Sequence, residues 1–124
     1  MPLQVIELNH IALHVSDVKK SIIFYKEVLE FEQLSTRPAF DFDGAWFRLG
    51  QYQELHLIEG RDYEVNSHSR KTHFALKVES AKEIEVFLKS KNLELVGPKP
   101  RPDGALQIFI TDPDGYWIEF TELV

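Results

Sequence analysis

Apolar and polar residues alternate along much of this chain, and the alternation occurs in two sets. Across residues 6–15, Ile11, Leu13 and Val15 fall on one side and His10, Ala12 and His14 on the other, the period-2 pattern of a half-buried strand. Residues 72–80 repeat it, with Phe74, Leu76 and Val78 opposed to His73, Ala75 and Lys77. After each strand the period lengthens. Asp17 is placed to cap a helix that reaches about Leu29 and turns Val18, Ile22, Tyr25 and Leu29 inward. Ser80-Ala81-Lys82-Glu83 is a capping box for a second helix, with Ile84, Phe87 and Leu88 on its inner face.

The two sets are copies. Residues 9–17, Asn-His-Ile-Ala-Leu-His-Val-Ser-Asp, match residues 72–80, Thr-His-Phe-Ala-Leu-Lys-Val-Glu-Ser, and His10 maps onto His73 at an offset of 63. The same offset carries Phe24 onto Phe87, Trp46 onto Phe109, Leu55 onto Ile118 and His56 onto Glu119 without a gap.

Later strands keep the two-sided pattern. Over residues 45–49 and 53–58, Phe47, Leu49, Leu55 and Leu57 alternate with Trp46, Arg48, His56 and Ile58. In the second half Leu106, Ile108, Ile110, Ile118 and Phe120 alternate with Gln107, Phe109, Thr111, Trp117 and Glu119. One face of each sheet is apolar enough to pack on its helix, and the other carries the polar and aromatic residues of a cleft. Asp112-Pro113-Asp114-Gly115 is a turn, with Tyr116 beside it in a structural role, and the polar, aperiodic residues 61–71 read as the linker between halves.

The 124 residues suit one domain, with module one at about 5–60 and module two at about 70–124, and 44% apolar with 27% charged residues is the balance of a globular protein. A net charge of −6 leaves no basic stripe for nucleic acid. No apolar run approaches the length that spans a membrane, and nothing resembles a leader, so a cytoplasmic protein is expected. With no cysteine, thiolate chemistry is excluded and any metal has nitrogen and oxygen ligands.

His10, His56, His73 and Glu119 supply such a set, because the repeat places equivalent positions of both halves on the cleft face. Neutral imidazole with carboxylate suits one divalent ion such as Zn²⁺, Ni²⁺, Co²⁺, Mn²⁺ or Fe²⁺. Trp46, Arg48, Phe109 and Trp117 line the same face as candidates for holding an organic substrate. Glu119 and His14 are the candidate bases.

The segments Asn9-His10-Ile11-Ala12-Leu13-His14-Val15, Glu54-Leu55-His56-Leu57, His73-Phe74-Ala75-Leu76 and Asp112-Pro113-Asp114-Gly115-Tyr116-Trp117-Ile118-Glu119 resemble the vicinal oxygen chelate superfamily. That group includes glyoxalase I, extradiol dioxygenases, methylmalonyl-CoA epimerase, and fosfomycin and bleomycin resistance proteins. The resemblance spans nearly the whole chain. It implies an α+β fold in which two βαβββ modules pair into a curled mixed sheet around a central cleft, within one chain or across a homodimer. It also implies a metal-dependent lyase or isomerase acting on a small substrate chelated through adjacent oxygens. An extradiol-type dioxygenase, or a protein that sequesters a drug or metabolite, is the alternative. At His56 the chain departs from glyoxalase I, which has Glu there.

Overall fold

The computed structural model describes residues 2–124, which form two compact units that divide between Asp62 and Tyr63. The boundary falls within the expected linker, where residues 60–73 hold no helix or strand and only a bridge between Ser67 and Thr72.

The first unit contains β1 (His10–Val15), α1 (Val18–Ile22), a π-helical continuation (Ile23–Val28), β2 (Gly44–Leu49) and β3 (Gln53–Glu59). Its sheet has the order β1-β3-β2, with β1 parallel and β2 antiparallel to the central β3. Leu13, Val15, Phe47, Leu55 and Leu57 are buried on the apolar face, as the alternation requires. Asp17 caps α1, its carboxylate accepting from the amides of Lys19 and Lys20 at 3.1 and 3.3 Å.

Two expectations change in this unit. β1 begins at His10 rather than Ile6, because its register against β3 starts at the His10–Glu54 rung; before it, Leu3, Val5, Ile6 and Leu8 are exposed. The helix also leaves α geometry after Ile22, the amide of Leu29 bonding the carbonyl of Phe24 five residues back. The wider turn buries the sequence neighbours Phe24 and Tyr25 together, and Ser21 occupies the core position expected of Ile22, which is half-buried.

The second unit contains β4 (Phe74–Lys77), α2 (Ala81–Ser90), β5 (Val96–Pro100), β6 (Leu106–Thr111) and β7 (Trp117–Glu122), in sheet order β4-β7-β6-β5. Ser80 caps α2 through the amide of Glu83 at 3.1 Å. The helix ends in a Schellman arrangement: Asn92 adopts φ 59°, its amide bonds the carbonyl of Lys89, and the amide of Leu93 bonds that of Leu88. Leu88 and Ala81 are the fully buried residues of its inner face, while Ile84 and Phe87 are half-buried.

β5 is the element that the hydrophobic pattern misses. Val-Gly-Pro-Lys-Pro has no alternation, and its register on β6 shifts between Val96 and Lys99. Gly97 sits in the shift at φ +99°, where a side chain would meet the carbonyl of Gln107. In the first unit the equivalent segment is only a bridge from Gln33 to Phe47.

Leu88 is 1% exposed and Val86, on the same helix, 57%. Leu88→Ala is expected to cost about 2–5 kcal/mol, and Val86→Ala less than about 0.5 kcal/mol; urea denaturation followed by circular dichroism measures both.

Candidate metal centre

Each unit brings a pair of the expected ligands together by the same device. In the first, the parallel rung Ala12–His56 sets the last strand's ligand opposite a methyl group, and His10 lies two residues earlier on the same face. In the second, the rung Ala75–Glu119 does the same for Glu119 and His73. Alanine at the rung leaves room for the histidine to reach across. The His10 and His56 rings stack with centroids 4.1 Å apart, and His73 Nε2 lies 3.0 Å from Glu119 Oε1. Among the described residues, no three His, Asp or Glu side chains gather into a group able to hold an ion.

The second pair carries most of the chemistry. His73 Nδ1 lies 2.9 Å from the carbonyl of Lys71, which can only accept, so Nδ1 carries a hydrogen. In the neutral ring Nε2 therefore presents a lone pair to a carboxylate oxygen, and a cation must lie between them. A proton meets that need. So would a divalent metal ion, for which this nitrogen and this oxygen are suitable donors.

Glu119 is 4% exposed, and its second oxygen is fully engaged. Gln107 Nε2 donates to Oε2 at 3.0 Å, and the hydroxyl of Thr121 donates to the same oxygen. Burial pushes this carboxyl up, but the bonds from Thr121, Gln107 and His73 outweigh burial and hold it below the usual range.

In the first pair, His10 Nδ1 is 2.7 Å from Asn9 Oδ1, which accepts its hydrogen as the Lys71 carbonyl does at His73. His56 is held differently: its ring lies between His10 and Trp46, whose centroid is 4.0 Å away at 3° between planes, and Nε2 donates to Glu54 Oε1 at 2.9 Å. Burial lowers its pKa, and the neighbouring His10 and Arg37 add to this against the bond to Glu54.

The other candidates are placed as follows. Phe109 meets the His73 ring edge-on at 5.9 Å and Trp117 at 5.6 Å, and both line a groove of about 210 Å³. Trp46 and Arg48 line a groove of about 310 Å³ in the first unit, where Arg48 donates to the Tyr52 carbonyl and lies 3.6 Å from Glu54. His14 stands opposite Ile58, further along β1 than Ala12. Glu54, Gln107, Thr121 and Lys99 were not singled out by the sequence. Period 2 already puts Glu54 with His56 and Thr121 with Glu119, but Gln107 and Lys99 reach the site only through strand register. Among the described residues Lys99 makes no ion pair, and its ammonium lies 5.4 Å from the Phe109 ring centroid.

Residues 7–120 match the model of the Glyoxalase/Bleomycin resistance protein/Dioxygenase superfamily. The chain belongs to this superfamily. It is 31% identical to metallothiol transferase FosB of Staphylococcus saprophyticus, over 90% of this chain and 74% of that protein. It is 30% identical to the lactoylglutathione lyase of Salmonella typhimurium, over 93% of this chain and 91% of the lyase. A glyoxalase family protein from Bacillus anthracis has the same fold, with a TM-score of 0.81 at 24% identity over 100% of both chains. No described helix is long and apolar enough to cross a membrane.

Replacing Ala75 with Leu crowds Glu119 from the opposite rung of an exposed surface position. The variant is expected to fold with little change in its thermal midpoint and to lose the His73–Glu119 contact, read as a shift of the His73 Nε2 resonance in ¹⁵N spectra.

Proposed function

We propose that this protein is a divalent-metal-dependent enzyme of lyase or isomerase type, with His10, His56, His73 and Glu119 as ligands of one ion. Its substrate is a small molecule that presents two adjacent oxygens. The observation that carries the reading is the second pair: an imidazole nitrogen and a carboxylate oxygen 3.0 Å apart, each group oriented by its own hydrogen bonds. One pair of each kind serves each ion, and a homodimer is the proposed assembly.

A bound divalent ion supplies Lewis acidity that favours loss of a proton next to a carbonyl. The protein's own groups do the rest. Lys71 and Asn9 hold the two Nδ1 hydrogens, so that His73 and His10 present Nε2. Trp46 keeps the His56 ring in place by stacking, and Phe109 and Trp117 exclude water and pack the organic part of the substrate. Glu119 and His14 are the groups proposed to take up the substrate's proton.

A second reading is group transfer to an anionic substrate. Lys99, whose ammonium lies over the Phe109 ring beside His73, is suited to hold an anionic group, and the likeness to a metallothiol transferase points the same way.

Protein stripped with chelator and dialysed against Zn²⁺, Ni²⁺, Co²⁺ or Mn²⁺ is expected to take up one ion per chain by elemental analysis. His10→Ala, His73→Ala and Glu119→Ala should each abolish uptake. Wild-type protein that takes up none of these ions overturns the proposal. Lys99→Ala separates the two readings: it should leave a neutral substrate's KM unchanged and raise an anionic one's by about 10-fold or more.

A further inference from the structure

We propose that Gln107 and Thr121 are positioning residues that hold Glu119 as a one-oxygen ligand, offering Oε1 and withholding Oε2. This rests on the metal-dependent reading above. Both donors converge on Oε2, which leaves Oε1 to face His73 Nε2. A carboxylate tied at one oxygen cannot turn to grip an ion with both.

The duplication argues that the two residues are there for Glu119 rather than for the sheet. Gln107 and Thr121 stand directly opposite each other on β6 and β7. At the offset of 63 their counterparts are Gly44 and Ile58, which stand directly opposite each other on β2 and β3. The same rung therefore exists in both units and serves pairing equally in each. It carries two hydrogen-bond donors where the ligand beside it is Glu119, with a second oxygen to satisfy. It carries none where the ligand is His56, whose Nε2 hydrogen is taken by Glu54 instead. Glycine at the equivalent of Gln107 shows that the rung needs no side chain there to form.

The test is calorimetric titration with Ni²⁺ of the full chain and of Gln107→Ala, Thr121→Val and Thr121→Ser, with thermal midpoints measured in parallel. Loss of a partner that orients a ligand costs about 10- to 100-fold in metal affinity. That loss is expected for Gln107→Ala and Thr121→Val with the thermal midpoint near wild type, and Thr121→Ser should restore binding to within about twofold of wild type by returning the hydroxyl. Gln107 is half-buried, so its variant decides the matter if Thr121→Val does not fold. Wild-type affinity in Gln107→Ala, or a loss in Thr121→Ser as large as in Thr121→Val, overturns the inference while the metal reading stands. A wild-type protein that binds no Ni²⁺ or other divalent ion removes both.

Discussion

In each unit the last strand lies parallel to the first, and a single rung of that pairing sets an alanine opposite a proposed ligand. Much else follows from those rungs, Ala12–His56 and Ala75–Glu119. Parallel pairing needs a crossover, which the helix and intervening strands provide, and both rungs join residues 44 positions apart. Period 2 then sets His10, at the start of β1, and His73, just before β4, beside their partners. Alanine at the rung is small enough for the histidine to lean over it. Moving the register by one residue would turn every ligand into the core and every core residue into water.

Neighbouring groups define which atom each proposed ligand offers. A carbonyl and a side-chain amide fix the tautomers of His73 and His10, so both present Nε2. His56 is fixed by a carboxylate and two stacked rings, and Glu119 by two donors on one oxygen. Burial alone would push the Glu119 carboxyl up; the hydrogen bonds reverse this and hold it below the usual range. The copies thus share a backbone plan and differ in the chemistry around the ligand, which is the pattern expected when a duplicated scaffold is kept and its site is changed.

Much of this was legible in the residues themselves. Two-sided strands, the Asp17 and Ser80 caps, the Asp112–Gly115 turn and the repeat at offset 63 are local patterns, and each corresponds to an observed element. The pairs His10 with His56 and His73 with Glu119 also follow, since strand phase and duplication act together. The π-helical turn was hidden, because an amphipathic pattern looks the same until one residue is added to a turn. β5 was hidden because Gly97, Pro98 and Pro100 remove the alternation that marks a strand, while its bulged register tolerates them.

Strand phase is decided by neighbours one and two residues away, so the sequence by itself determined which residues face the cleft and which pack on the helices. Register is decided by which residues meet across a sheet, and that is a tertiary choice. Only the folded structure could place Gln107 beside Glu119, Lys99 over Phe109, and the Lys71 carbonyl on His73. Those contacts turn four residues of the right kind into donors with assigned atoms.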